Sequence, residues 1–214
     1  MLFLSLIKNK WKKFRGCVVV EFDIVMKWME YIRNNPDNAY RFSENFWSSQ
    51  IRSKKWLLEC IPEDTKSIVI FGGWYGILAQ FIAERFPDAY IITSDLDPNG
   101  ETVFNQINLS SNIKYLQRDM RNGIPRLPHG MRDVDLVINT SSEHVTQDVY
   151  DSWWNSIPFG TKYIVQGNNL VNPEHVRLAD NLEEFLTINR IKNPEYAGML
   201  KCGHFYRFMA TGIK

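Results

Sequence analysis

The chain has 214 residues, which is long enough to bury a substantial core within one main fold. Its 25 Lys and Arg residues nearly balance its 24 Asp and Glu residues, so its overall charge does not indicate a nucleic-acid or membrane partner. Cys17, Cys60 and Cys202 are odd in number and widely spaced, which argues against a disulfide framework and a structural zinc site. No apolar run is long enough to span a bilayer, and the first residues do not have the order of a secretion signal. We therefore expect a soluble, cytoplasmic protein.

The first part of the chain predicts helices. Met1–Phe14 combines apolar residues at helical spacing with a basic stretch, and three interpretations stay open: a surface for membrane or nucleic acid, a frayed terminus, or an upstream extension. We assign no function to it. Helices are predicted over Ile24–Arg33, which the following Pro36 ends, and over Ser43–Cys60. A basic face on the second helix is interpreted as solvated rather than as a binding surface; it comprises Arg52, Lys54 and Lys55.

Strand and helix patterns alternate from residue 66 onward, which predicts a parallel sheet with helices on both faces. The strands are predicted over 67–71, 89–93, 113–117, 134–139 and 163–166, and the helices over 77–85, 99–108, 146–156 and 174–185. Two further extended segments, 186–191 and 205–211, predict a β-hairpin around a loop at 194–203. The predicted fold class is α/β: a doubly wound, mostly parallel seven-stranded sheet with a C-terminal antiparallel β-hairpin and an N-terminal helical extension. We place the boundary between the extension with its helical cap, 1–60, and the main domain, 61–214.

The most informative segment is Ser67–Gly76, which reads Ser-Ile-Val-Ile-Phe-Gly-Gly-Trp-Tyr-Gly. A short apolar run that breaks into glycines before a helical stretch is typical of a buried strand followed by a ligand-binding turn. Nineteen residues after Gly76, the next apolar run ends at Asp95. A carboxylate at such a strand tip can accept hydrogen bonds from ribose hydroxyls, so the two features predict a nucleoside-containing cofactor.

Five strand–helix units closed by a hairpin, with this turn after the first strand, resemble the class I S-adenosylmethionine-dependent methyltransferases over about residues 45–214. In that family the first strand ends in an acid-x-Gly-x-Gly-x-Gly pattern, whereas this chain has Ile70 at the acid and Trp74 at the middle glycine. The resemblance implies a Rossmann-like domain and S-adenosylmethionine as the cofactor. It also implies a set of cofactor-binding residues: Gly72, Gly73, Trp74, Tyr75, Gly76, Asp95, Leu96, Asp119 and Met120.

The resemblance assigns roles within this set. Asp95 matches the ribose-binding acid, and Asp119 matches the acid that binds the adenine amino group, with Leu96 and Met120 flanking the ring. An exposed loop acid is the alternative for Asp119. An aromatic ring at Trp74 or Tyr75 can face the sulfonium cation, and the alternative for Trp74 is packing under the following helix.

The fourth strand ends at Asn139 and is followed by Thr-Ser-Ser-Glu-His, ending at His144. In the resembling family this position presents substrate-facing groups. We predict that Asn139 orients an acceptor and that Glu143 or His144 accepts a proton as general base. The alternative is that Ser141 and Ser142 cap the next helix. After the fifth strand, Gln166-Gly-Asn-Asn binds substrate or turns the chain.

The predicted reaction is direct displacement: an acceptor lone pair attacks the methyl carbon as the sulfur departs. The segment after the fourth strand lacks the Asn/Asp-Pro-Pro-Tyr pattern of many base amino methyltransferases, so base amino methylation is less expected. A small-molecule acceptor is favoured slightly over nucleic acid or protein. An NAD-dependent oxidoreductase is disfavoured since its Gly-x-Gly-x-x-Gly fingerprint fails at Trp74 and Ile77. A non-catalytic relative and a relative that transfers another group stay open. No metal is predicted, because His175 and His204 do not combine with a Cys or an acid at ligand spacing.

Overall fold

A computed structural model describes residues 22–129, 131 and 133–214. The interpretations of Met1–Phe14 and of Cys17 lie outside these residues. Seven α-helices are described: α1 Phe22–Asn34, α2 Pro36–Ser43, α3 Ser48–Glu59, α4 Ile77–Arg85, α5 Gly100–Ile107, α6 Gln147–Ser156 and α7 Leu182–Ile188. The strands are β1 Ser67–Phe71, β2 Tyr90–Asp95, β3 Ile113–Gln117, β4 Leu136–Asn139, β5 Lys162–Asn168, β6 Tyr196–Cys202 and β7 Phe205–Ile213. None of the helices in this part of the chain is both long and apolar enough to cross a membrane.

The strands form one seven-stranded sheet in the order β3-β2-β1-β4-β5-β7-β6. Strands β1 to β5 pair in parallel, and β7 lies antiparallel between β5 and β6. The predicted fold class is therefore confirmed. All five residues of β1 are buried, as expected for a central parallel strand that helices cover on both faces. The order reverses direction between β1 and β4, which creates a crevice at the carboxyl ends of these strands.

Two apolar clusters cover the two faces of the sheet. One joins β1 residues such as Ile68 and Ile70 to α1–α5, and it includes Trp28 of α1 and Leu57 of α3. The other joins Val69 and Phe71 to α6 and α7. The helices of residues 22–59 thus share a core with the sheet, and the boundary between 60 and 61 stays a prediction.

Three predicted elements differ from the structure. The helix predicted over Ser43–Cys60 begins at the last residue of α2, continues as a 3₁₀ turn at Glu44–Phe46 and is α-helical only in α3, Ser48–Glu59. Pro36 occupies the first turn of α2, where the missing N–H costs no hydrogen bond. This proline thus ends one helix and begins the next.

The helix predicted over 174–185 begins only at Leu182, because the Asn181 side chain caps it by accepting from the Glu184 N–H at 3.0 Å. The predicted hairpin exists, but its first strand is Tyr196–Cys202, within the predicted loop, and 186–191 lies at the end of α7 and beyond. Most of β6 is exposed or half-buried, which is why its apolar pattern is weak in the sequence.

Candidate functional site

The glycine-rich segment after β1 forms a tight turn that leads into α4. Gly72 has φ 67°, and a Cβ atom there would lie 2.0 Å from the Ser141 hydroxyl oxygen. At Gly73 a Cβ would lie 2.0 Å from the Thr93 hydroxyl oxygen. Only glycine fits at both positions, because neighbouring strands approach the backbone on either side. The turn therefore presents bare backbone at the carboxyl edge of the sheet.

Trp74, at the position of the middle glycine in the family pattern, has a left-handed backbone conformation. Its φ is 47°, a left-handed conformation that costs a residue with a Cβ roughly 1–2 kcal/mol. The Tyr115 hydroxyl donates to the Trp74 carbonyl at 2.8 Å. Burial, with a smaller contribution from Asp95, raises the pKa of Tyr115, so this donor stays protonated. The turn thus retains its shape despite the substitution.

The two aromatic side chains of the turn stack on each other with ring centroids 4.7 Å apart, but they differ in burial. The Trp74 ring is half-buried, lies along the cavity described below and has the Arg41 guanidinium 5.6 Å from its centroid. The Tyr75 side chain is fully buried and stacks on Phe42. Of the two rings predicted to face a sulfonium, only the Trp74 ring lies at the cavity. Gly76, with φ 76°, precedes α4.

Asp95 at the tip of β2 is tied to the same turn. One carboxylate oxygen accepts from the Trp74 N–H at 2.7 Å, and the other accepts from the Asp97 N–H at 3.0 Å. The side chain remains half-buried and faces the cavity. A carboxylate has about four acceptor positions, so both oxygens keep capacity for ligand hydroxyls.

A cavity of about 990 Å³ opens at this carboxyl edge of the sheet. Its lining includes most of the predicted cofactor-binding residues: Gly72, Gly73, Trp74, Asp95, Leu96, Asp119 and Met120. Glu143 and His144 also line it. A smaller cavity of about 390 Å³ lies at the opposite edge, among residues such as Asp64 and Gly160. Ligands of open α/β sheets bind at the carboxyl edge, so the larger cavity is the candidate site.

Asp119 begins a 3₁₀ turn after β3. Its carboxylate accepts from the backbone N–H of Arg121 at 2.8 Å and forms an ion pair with the Arg121 guanidinium at 2.6 Å. Hydrogen bonds from Arg121 hold the pKa of Asp119 below its usual value. Asp119 is thus an ionised group in a loop at the cavity wall, and binding of an adenine amino group there stays a prediction.

The segment after β4 is fixed mostly by contacts inside the protein. Asn139 is fully buried, and its amide oxygen accepts from the Ser141 N–H at 2.9 Å. It is not among the described residues that line the cavity. The Ser142 hydroxyl donates to the Gln166 carbonyl at 2.7 Å, and the Ser141 hydroxyl donates to the Gly72 carbonyl at 3.4 Å. Ser141 occupies the N-cap position of the 3₁₀ turn Ser142–His144 without a side-chain hydrogen bond to it, and Thr146 occupies the N-cap position of α6, so neither serine hydroxyl caps α6.

Glu143 and His144 differ strongly in exposure. Glu143 is 3% exposed, and one of its carboxylate oxygens accepts from the Asn168 side-chain amide. Its other oxygen, Oε2, is buried, and no residue in the described part of the chain forms a hydrogen bond with it. His144 is exposed, and its ring meets the His175 ring edge-to-face with centroids 4.6 Å apart. The sequence prediction missed His175 at this site.

Lys54 is a second residue that the sequence prediction missed. It lines the cavity, and its ammonium group donates to Gln50 at 3.1 Å. Burial, together with the nearby Arg207 charge, lowers the pKa of Lys54 to about 7. Inward-facing residues of α3 recur at helical spacing: Gln50, Ser53, Lys54, Leu57 and Leu58. This spacing was the available signal, because it places Lys54 on the same stripe as the core leucines.

No protein-family model matches the chain, and no curated protein matches it. Solved structures do. PigF with SAH aligns with a TM-score of 0.60 at 15% identity, over 87% of this chain and 62% of its own. The mitomycin 7-O-methyltransferase MmcR aligns with a TM-score of 0.59 at 13% identity, over 87% of this chain and 60% of its own. Human N-acetylserotonin methyltransferase with SAM aligns with a TM-score of 0.58 at 11% identity, over 97% of this chain and 65% of its own.

The chain thus spans a little over three-fifths of the length of these three neighbours. At such low identity the likeness establishes the fold, and it agrees with the strand order and with the antiparallel β7. The resemblance found in the sequence is confirmed at this level: the chain has the class I S-adenosylmethionine-dependent methyltransferase fold.

Proposed function

We propose that the protein binds S-adenosylmethionine in the 990 Å³ cavity and transfers its methyl group to a small-molecule acceptor. The observation that carries this proposal is the joint position of Asp95 and the glycine-rich turn at one cavity, at the point where the strand order reverses. Structural neighbours that contain SAH or SAM support the choice of cofactor.

The residues of the turn and of β2 would bind the nucleoside half of the cofactor. Gly72 and Gly73 allow the ligand to approach the backbone closely, and Asp95 accepts hydrogen bonds from the ribose hydroxyls. The Trp74 ring supplies an electron-rich face for the sulfonium, an attraction of about 0.5–2 kcal/mol. Leu96, which is 64% exposed, and Met120 offer apolar surface to the adenine ring.

We propose that the acceptor substrate binds against the segment after β4. The lone pair of the acceptor forms the new bond to the methyl carbon while the carbon–sulfur bond breaks, and the sulfur leaves as a neutral thioether. A base is needed only where the acceptor must lose a proton. The exposed ring of His144 can accept that proton, whereas the buried Glu143 and Asn139 act by positioning the segment.

Calorimetric titration tests the cofactor. We expect S-adenosylmethionine and S-adenosylhomocysteine to bind and NAD to give no heat beyond dilution. Absence of binding by both sulfur nucleosides at near-millimolar concentration would remove the basis of the proposal.

Formation of S-adenosylhomocysteine from S-adenosylmethionine, measured with pooled small-molecule fractions, tests catalysis. The variant His144→Ala should lower turnover and leave cofactor affinity unchanged. His204→Ala is the matched control, because His204 is another exposed histidine that lines the cavity outside this segment. Equal turnover in both variants would assign His144 no part in the reaction.

The second candidate is a protein that binds the cofactor without transferring methyl. Ile70 favours it, because this residue is fully buried in the core and supplies no carboxylate for the cofactor's ammonium group. Binding of both nucleosides without turnover on any acceptor fraction, or with transfer of a different group, would support this candidate. A cytoplasmic location stays a prediction.

A further inference from the structure

We propose that Glu143, His144 and His175 form a binding site for a divalent transition-metal ion at the wall of the main cavity. The ligand atoms that these three side chains offer all lie within 4.8 Å of one another, and all three residues line the cavity. The inference goes beyond the proposed function, because methyl displacement by itself needs no metal. It also replaces the expectation from the sequence that no metal binds.

The buried carboxylate is the first observation that points to a cation. Glu143 is 3% exposed, and the Asn168 amide fixes only one of its oxygens. The other oxygen, Oε2, is buried and has no hydrogen-bond partner among the described residues. Leaving a carboxylate oxygen unpaired in such a position is costly. A metal ion is a partner that satisfies it.

The orientation of His175 is the second observation. Its Nδ1 lies 2.7 Å from the Leu170 carbonyl oxygen. A carbonyl only accepts, so Nδ1 carries the proton and Nε2 of the neutral ring has a free lone pair. Metal-binding histidines commonly have their second nitrogen fixed in this way. His175 is therefore held ready to ligate through Nε2.

His144 completes the site. It is exposed, and its ring meets the His175 ring edge-to-face. Ligand bonds of about 2.0–2.2 Å place ligand atoms about 3–3.5 Å apart around a metal. Rotation of His144 closes the present separations, which do not exceed 4.8 Å.

Two nearby arginines do not supply the missing partner of Glu143 among the described residues. Arg177 and Arg207 are buried near Glu143, but neither forms an ion pair with it among the described residues. The Arg177 guanidinium is bonded instead to the Ser142 carbonyl at 2.8 Å and to Asn189 at 3.0 Å. Glu143 is thus left with its unpaired oxygen.

The donor set indicates the class of metal. Two imidazoles and one carboxylate suit Zn²⁺, Co²⁺, Ni²⁺ or Fe²⁺, whereas Mg²⁺ and Ca²⁺ prefer sites made of oxygens alone. Three protein ligands leave coordination positions open toward the cavity. An oxygen or nitrogen of the acceptor fits such a position, where the metal would favour loss of its proton in place of the His144 base, whose lone pair is then a ligand; this last step rests on the proposed function.

The test uses full-length, untagged protein that has been treated with a chelator and dialysed. Co²⁺ is titrated while its visible absorption is recorded, Zn²⁺ is then used in competition, and Mg²⁺ serves as the comparison ion. We expect one Co²⁺ per chain, displacement by Zn²⁺, and much weaker binding of Mg²⁺. His144→Ala and His175→Ala should each weaken Co²⁺ binding about tenfold or more, while His204→Ala should leave it unchanged.

Absence of Co²⁺ binding to the wild type, or equal binding by the wild type and both ligand variants, would overturn the proposal. Folding of each variant is checked by circular dichroism. His144 is exposed, so its loss should not affect the fold. All titrations are performed without S-adenosylmethionine, so their outcome is independent of whether the proposed cofactor binds.

Discussion

Replacing Asp95 with alanine is the perturbation that most directly tests the cofactor site. It removes two hydrogen bonds to the backbone, from the Trp74 N–H at 2.7 Å and from the Asp97 N–H at 3.0 Å. Hydrogen bonds to a charged group contribute about 1.5–3 kcal/mol each, and water reaches this half-buried site. We therefore expect the free energy of unfolding to fall by about 2–4 kcal/mol.

The same substitution removes the proposed acceptors for the ribose hydroxyls. Losing these bonds should weaken binding of S-adenosylhomocysteine about 100-fold, which is about 2.7 kcal/mol. A loss of affinity caused only by a loosened turn must be distinguished from one caused by the missing ribose acceptors. A second aspartate in the chain offers the control.

Asp135 makes a similar pair of bonds at the opposite end of β1. Its carboxylate accepts from the Lys66 N–H at 2.8 Å and from the Ser67 N–H at 2.9 Å. Asp135→Ala thus removes the same kind of contact at the edge of the sheet away from the proposed site. We expect it to lower stability, by less than Asp95→Ala because Asp135 is exposed, and to leave affinity unchanged.

Urea unfolding measures the stabilities, and calorimetry on the folded fraction measures the affinities. Equal affinities in the Asp95→Ala and Asp135→Ala variants would refute the ribose role of Asp95. Equal affinities of the wild type and Asp95→Ala would refute it as well, even with the expected loss of stability.

Three further predictions concern the turn and the cavity wall. Trp74→Gly should have a free energy of unfolding about 0.5–1 kcal/mol higher than Trp74→Ala in urea, because only glycine removes the left-handed strain at φ 47°. An alanine variant of equal or greater stability would contradict this. Gly72→Ala should lower the free energy of unfolding by about 1–3 kcal/mol more than Gly203→Ala in the same assay. Both glycines have positive φ, but only a Cβ at Gly72 would collide with a neighbour, the Ser141 hydroxyl oxygen at 2.0 Å. Burial lowers the pKa of Lys54 to about 7, so its amine is deprotonated above neutral pH. The rate of its acylation by an amine-selective reagent should therefore rise with a midpoint near pH 7. Mass spectrometry of the labelled peptides measures that rate. A midpoint near the usual value for lysine would refute the burial argument for Lys54.

Much of the fold was predictable because buried parallel strands are almost continuously apolar. Strands β1 and β3 and helix α4 have the predicted bounds. Residues 174–181 were assigned to a helix wrongly, since their structure depends on a distant partner: the Val176 N–H donates to the Glu143 carbonyl at 2.9 Å. Contacts between segments so far apart in the sequence leave no local pattern.

The candidate site was predictable in part for a related reason. Parallel strands bring their carboxyl ends to one edge, so loops that carry Asp95 and Glu143 are expected to meet there. The position of His175 depends on the Leu170 carbonyl and on the course of the chain after β5, which no periodicity records. Lys54 was accessible to sequence reasoning, because it lies on the inward stripe of α3, but its charge suggested a solvated face.

The two departures from the family pattern have unequal consequences for the proposed cofactor. Trp74 retains the left-handed backbone of a glycine and donates its N–H to Asp95, so the part of the turn that would contact the nucleoside keeps its form. Ile70 is fully buried, paired across the sheet with Thr93 and Ile138, and an ionised side chain among these neighbours would be costly. The loss of a carboxylate at Ile70 therefore affects only the amino-acid end of the cofactor. Affinity should then depend mainly on the nucleoside half, where Asp95 and the turn still act together.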